Sequence, residues 1–148
     1  MVAIVIQGFF VRGSPFLSAL VSIPGVSAGR SVNFLVDTGC DQTCLMPDDW
    51  SQMGLDYEKL EGEVERIHGI GGSIEAKHQQ VSILFTEDNS AMHFYSLDVL
   101  IVSALPEGYE MTSVLGQDLF SYWRLIHDPS RGEISAEVRE SSWTFDPR

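Results

Sequence analysis

The sequence predicts an all-β fold, a barrel or sandwich carrying one or two short helices. Three observations lead there. The apolar runs are short, turn residues separate them at near-regular intervals, and 13 of the 148 residues are glycine. With 44% hydrophobic residues the chain can bury a core of its own, and its length suits a single domain spanning 1–148.

Taken in order, Ala3–Val11 reads as a strand that Arg12-Gly13-Ser14-Pro15 breaks. Phe16–Ile23 is the second strand, and a Gly/Ser turn from Pro24 to Gly29 follows it. Val32–Val36 is a buried strand running straight into Asp37, and Thr43–Met46 leads away from that turn. Pro47-Asp48-Asp49-Trp50-Ser51-Gln52-Met53-Gly54 predicts a helix. Proline is tolerated at a helix start, acidic residues suit the first turn, and Gly54 is placed to end it. Glu63–Ile67 and Ser73–Phe85 are strands around a glycine-rich tip, and Phe94–Val102 is another. Val114-Leu115 is a short buried strand, and Leu119–Trp123 is a short helix. Leu125–His127 and Glu133–Val138 make a hairpin across Asp128-Pro129-Ser130-Arg131-Gly132.

Nine basic residues against 21 acidic ones give a net charge of −12. That balance disfavours nucleic acid as a partner, since binding there rests on neutralising phosphates. The opening Met1-Val2-Ala3-Ile4-Val5-Ile6 lacks the basic flank of a secretory signal, and no apolar run approaches the roughly 20 residues a membrane helix needs. The expectation is a soluble, cytoplasmic protein with no membrane partner. Cys40 and Cys44 are four apart; in an extended stretch, at about 3.3 Å per residue, they stand too far apart to bridge. Two cysteines also fall short of a zinc framework, and His78, His93 and His127 share no ligand spacing with them. Reduced thiols and no metal or other cofactor are expected.

The chemistry concentrates at Phe34-Leu35-Val36-Asp37-Thr38-Gly39-Cys40-Asp41-Gln42-Thr43. An apolar strand delivers a carboxylate to a small-residue turn, which costs free energy unless the carboxylate is paired or used. Two carboxylates about 3 Å apart share one proton, and such a pair can both activate water and protonate a carbonyl oxygen. Taken alone, the tripeptide is weak evidence and reads as an ordinary hairpin turn. Two further segments add weight. Ile67-His68-Gly69-Ile70-Gly71-Gly72-Ser73-Ile74 is a glycine-dense hairpin tip able to bend over a cleft. Ser113-Val114-Leu115-Gly116-Gln117-Asp118-Leu119-Phe120 has an apolar pair ending in glycine before an amphipathic stretch.

Those three motifs, in that order, resemble the single-domain, homodimeric retropepsin-like aspartic proteases, the retroviral enzymes and their bacterial and cellular relatives. The likeness runs from Phe16 to Leu125, about three-quarters of the chain. It implies a retropepsin-like acid protease barrel and an aspartic endopeptidase acting on a peptide or protein substrate. With one Asp-Thr-Gly per chain, it also implies a homodimer. Asp37 would be the catalytic aspartate, with Thr38 and Gly39 as its supporting turn. Ile70 at the tip of the flap would offer its amide to a substrate-bridging water, with His68 and Gly69 bordering the substrate backbone. Asp41 would contact the substrate main chain, Val114 would line a side-chain pocket, and Gly116 would let the helix pack on the Asp37 turn.

Three positions depart from the family pattern. Cys40 stands where alanine is usual, and His68 replaces a flap glycine. Gln117 replaces an arginine that pairs with the acid matching Asp41, so that network must differ here. The apolar start Val2–Phe10 and the tail Trp143-Thr144-Phe145 exceed the short terminal strands of the retroviral group. The first of these, Val2–Phe10, is read equally as buried core strands or as part of an inter-subunit sheet. Trp50, Trp123 and Trp143 read as core or interface packing. Two other functions stay open at this point: a non-enzymatic dimeric peptide-binding or scaffolding module of the same fold, and a latent protease awaiting activation.

Overall fold

The computed structural model describes residues 5–69, 72–88 and 90–147. Two short strands come first, β1 (Ile6–Gln7) and β2 (Phe9–Val11), followed by the long pair β3 (Ser14–Ile23) and β4 (Ser27–Val36). After the Asp37 turn come β5 (Cys44–Leu45) and α1 (Pro47–Trp50), which passes into a 3₁₀ turn over Ser51–Met53. Then follow β6 (Val64–Gly69), β7 (Gly72–Thr86), β8 (Met92–Val102), β9 (Val114–Leu115) and α2 (Gln117–Phe120). The chain closes with β10 (Trp123–Asp128), β11 (Glu133–Val138) and β12 (Trp143–Phe145).

The strand pairings run in a ring. β3 pairs β4, β4 pairs β9, β9 pairs β5, β5 pairs β8, β8 pairs β7, and β7 returns to β3. Closure of this kind removes exposed sheet edges, and it places the barrel reading above the sandwich. Strands alternate as the closed sheet demands. On β3, Leu17, Ala19, Val21 and Ile23 face inward and are buried, while Ser18 and Leu20 face out. They meet Phe34 of β4, Ile83 and Phe85 of β7, Tyr95 of β8 and Leu115 of β9 in one core. A second, three-stranded sheet in the order β1-β11-β10 adds Ile6, Ile134 and Ala136 to that core.

The expected single strand over Ala3–Val11 is instead two; its first residues, like the rest of 1–4, lie outside the described residues. The division falls at Gly8, where the chain leaves β11 for β3. Its amide donates to the Ile134 carbonyl at 2.7 Å, and a Cβ there would lie 2.4 Å from the Phe16 carbonyl oxygen. Only glycine fits that approach. The first helix forms where expected and ends at Gly54 in the left-handed region (φ 74°). The second is shifted: α2 covers Gln117–Phe120, because Trp123 already pairs with Val138 as the first residue of β10.

Both ends pair within the chain. Ile6 sits opposite Ala136 and is buried, and Trp143 sits opposite Phe94. Of the three tryptophans, Trp123 is core, and Trp50 is half-buried with its indole N–H donating to the Val102 carbonyl at 2.7 Å. Trp143 is 55% exposed and lies against the Phe94 and Phe145 rings. Among the described residues no helix is long and apolar enough to cross a membrane.

Candidate active site

β4 ends at Val36, and its parallel partner β9 fixes that end: Leu35 sits opposite Val114 and Val36 opposite Leu115. The next amide, of Asp37, still donates to the Leu115 carbonyl at 3.2 Å. The half-buried Asp37 side chain therefore leaves the sheet at a fixed point, at the seam of two buried strands. Its Oδ1 accepts a hydrogen bond from the Gly39 amide at 3.0 Å, and its carbonyl accepts one from the Cys40 amide at 3.1 Å. The carboxylate is held by the backbone of its own turn. Thr38 and Gly39 are exposed.

α2 straps this turn from behind. The Gln117 amide donates to the Cys40 carbonyl at 2.8 Å, the Asp118 amide to the Asp41 carbonyl at 3.2 Å, and Gln117 Nε2 to the Thr38 carbonyl at 2.6 Å. Gln117 thus braces the turn directly through both its backbone and its side chain. Gly116 makes the approach sterically feasible. A Cβ at this position would lie 2.8 Å from the Cys40 carbonyl oxygen and from two backbone atoms of Gln42.

Two residues that carry this bracing have no role in the sequence reading. Asp118 accepts from the Thr43 amide at 2.9 Å and from the Thr43 hydroxyl at 2.8 Å, and that hydroxyl accepts from the Gly116 amide at 3.3 Å. Ser113 is fully buried; its hydroxyl accepts from the Met46 amide at 2.9 Å and donates to Asp49 at 2.5 Å, tying α1 to the approach of β9. The one clue in the sequence is a carboxylate two residues after the glycine of Val114-Leu115-Gly116, at the start of a helix.

Beside the turn lies a cavity of about 290 Å³, between the Cys40–Cys44 segment and β6, with Leu100 at its base. It brings together Asp41 and His68, two residues singled out from the sequence, along with Glu65 and Ile67. Both Asp41 and His68 are exposed. Gly69 ends β6, paired with Gly72, and Ile70 lies outside the described residues. Val114 is buried in the adjoining apolar cluster with Cys44, Met46, Ala76, Leu100 and Val102, and is not among the residues lining the cavity. Ile67 and Ile74, from the two strands of the β6–β7 hairpin, pack on that cluster.

The root of the same hairpin carries a charged clamp. His78 Nδ1 lies 2.7 Å from Asp98 on β8, and Nε2 lies 2.7 Å from Glu65 on β6. Burial works against the charged imidazolium. Hydrogen bonds to Asp98 and then Glu65 outweigh it, and the His78 pKa lies above its ordinary value. Gln42 joins the arrangement by donating to the Asp98 carbonyl at 2.9 Å. Sequence spacing alone could not reveal contacts across three strands. Among the described residues no group of His, Cys, Asp and Glu side chains could hold a metal ion.

Known proteins share this fold. Residues 23–119 match the family described as aspartyl protease, a span that includes the Asp37 turn, the β6–β7 hairpin and α2 up to Leu119. A retropepsin-like aspartic protease from Rickettsia conorii superposes with a TM-score of 0.62 at 16% identity, covering 91% of this chain and 99% of that one. EIAV protease complexed with an inhibitor superposes with a TM-score of 0.50 at 20% identity, covering 76% of this chain and 90% of that one. No curated protein sequence matches. At those identities the superpositions show a shared fold, which is retropepsin-like. The matched family covers well over half of the chain, and the chain therefore belongs to the aspartyl protease family.

Proposed function

We propose that the protein is an aspartic endopeptidase that works as a homodimer, its active site built from two Asp37 carboxylates, one per chain. The observation that carries this reading is the state of the Asp37 turn. It is pinned from behind by α2 and by the Gly39 amide, yet Thr38 and Gly39 stand uncovered. A turn that is rigid and open suits apposition to its own copy across a two-fold axis.

In such a pair the like charges keep one proton between them, and the pair titrates as a unit. The ionised carboxylate takes a proton from a water lying between the two, and that water attacks the scissile carbonyl. The protonated carboxyl donates to the carbonyl oxygen, and proton return to the nitrogen lets the amine leave. No metal or covalent enzyme intermediate is needed. The peptide would lie extended between the β6–β7 hairpin, acting as a flap, and the floor around Asp41, adding its backbone to a strand edge. β1 and β12 each pair on one side only among the described residues, so their outer edges are open to the partner. The outer edge of β10, the strand that follows α2, is unpaired among the described residues and offers hydrogen-bonding groups.

The test is digestion of a diverse peptide library at high protein concentration, from acidic to neutral pH, with wild type and Asp37→Asn in parallel. Cleavage by wild type alone is expected. Equal cleavage by both would exclude Asp37 as the catalytic group.

A further inference from the structure

The segment from Cys40 to Cys44 is not extended. It bends at Asp41 and Gln42, and the two thiols point to the same place. Cys40 Sγ donates to the Gln42 carbonyl oxygen at 3.1 Å, and Cys44 Sγ donates to that same oxygen at 3.4 Å. Both cysteines are free, and both line the cavity beside the Asp37 turn, Cys40 half-buried and Cys44 beneath it. The separation expected of an extended stretch therefore does not apply. Two sulfurs that share one acceptor are near neighbours, which is the first requirement for a disulfide between them.

We propose that Cys40 and Cys44 are an oxidisable dithiol, closed to an intrachain disulfide by a small-molecule disulfide, and that closure shuts down the neighbouring catalytic turn; the second half of this rests on the endopeptidase reading above. In the first step the more exposed Cys40, as its thiolate, attacks the small disulfide and releases one equivalent of small thiol. In the second, Cys44 gives up its proton and attacks the Cys40 sulfur, releasing the other. Two protein thiols are oxidised to one disulfide, and one small disulfide is reduced to two thiols.

The surroundings set the order of these steps. Burial, reinforced by the charge and the hydrogen bond of Cys40, pushes the Cys44 thiol up to about 12, so Cys44 does not start the exchange. Capping of Cys40 removes both of its contributions and leaves burial as the main brake. The consequence follows from what the segment holds. Closure draws the two side chains together and takes both S–H donors from the Gln42 carbonyl. The Cys40 carbonyl accepts from the Gln117 amide and the Cys40 amide donates to the Asp37 carbonyl, while Gly116 leaves no room for a Cβ against the Gln42 backbone. Tightening the segment therefore moves the catalytic turn against its brace, and small misplacements of catalytic groups cost large factors in rate.

The experiment treats wild type and Asp37→Asn with glutathione disulfide, followed by alkylation and peptide mass mapping without reduction. The expected result in both proteins is a Cys40–Cys44 cross-link with two hydrogens lost, reversed by dithiothreitol. Cys40→Ser and, independently, Cys44→Ala should fail to form it. In wild type, peptide cleavage should fall by about tenfold or more on closure and recover on reduction. Two free thiols after treatment, or a glutathione adduct on Cys40 that never resolves, would overturn the dithiol. Closure with undiminished cleavage would overturn its effect on the site. Because the mapping on Asp37→Asn needs no activity, failure of the endopeptidase reading leaves the cross-link result intact.

Discussion

Asp118 holds Thr43 through both of its carboxylate oxygens, one on the backbone amide at 2.9 Å and one on the side-chain hydroxyl at 2.8 Å. The pair joins the first turn of α2 to the exit of the Asp37 loop, 75 residues earlier in the chain. Thr43 is fully buried, so its polar groups have no water to turn to. Asp118→Ala should destabilise the fold by about 1–3 kcal/mol, the penalty of orphaned buried donors. Urea unfolding measures it. Cleavage should fall by more than the loss of folded protein explains, because the turn loses its brace. Unchanged stability would show that Thr43 finds other partners.

Gly116 is the point of closest contact between α2 and the loop. Gly116→Ala places a methyl carbon 2.8 Å from backbone atoms of Cys40 and Gln42, and backbone cannot give way as a side-chain end can. Overpacking of this kind costs about 1–3 kcal/mol, and the strain falls on the segment that carries Asp37. Thermal unfolding together with peptide cleavage should show a folded, less stable and nearly inactive protein. Wild-type cleavage in the variant would mean the strap has slack.

The His78 clamp makes stability depend on pH. With both carboxylates ionised, the doubly bonded ring is an imidazolium, and its pKa is raised above the ordinary 6.5. The clamp's contribution is complete below that ordinary value, as long as Glu65 and Asp98 remain charged, and is lost as pH rises through the raised pKa. All three side chains are partly exposed, which keeps the effect small. Stability of wild type should therefore decline as pH rises above about 6.5 and through the raised value, and His78→Gln should flatten that decline. Amide exchange along Val64–Gly69 should quicken over the same interval. Parallel pH profiles for the two proteins would remove the clamp from the account.

Trp123 anchors the start of β10 in the barrel core. Its ring meets Phe85 edge-on at 4.9 Å between centroids, and its N–H donates to the Tyr95 hydroxyl at 2.8 Å, which donates in turn to the Glu140 carbonyl. Trp123→Ala should cost about 3–5 kcal/mol by leaving a cavity, whereas Trp123→Phe should recover most of the packing and lose the hydrogen bond. Equal losses for the two would mean the polar contact outweighs the packing.

Period-two patterning and turn residues made most of the strands legible, since a barrel wall buries one face and turns at its rims. β7 shows where that reading was good, because Val81, Ile83 and Phe85 alternate into the core as written in the chain. The Asp37-Thr38-Gly39 turn stands out in the sequence as a candidate site because a carboxylate after a buried strand is rare without a use. What stayed hidden depends on distance through space. Nothing near Thr43 names Asp118, and nothing near Glu65 names His78 or Asp98, because β-pairing brings together residues far apart in sequence. The division at Gly8 was hidden for the same reason, as its cause is the carbonyl of Phe16 and the amide partner at Ile134. The Cys40–Cys44 geometry was misjudged because an extended path was assumed where the chain bends.

The central claim is that two chains share one site through their Asp37 residues. Mixing wild type with Asp37→Asn at constant total concentration, under conditions of subunit exchange, tests it most directly. If each site needs both carboxylates, an equal mixture retains about a quarter of the wild-type activity, because only wild-type pairs are competent. Activity falling in simple proportion to the wild-type fraction, to about half in that mixture, would contradict the shared site.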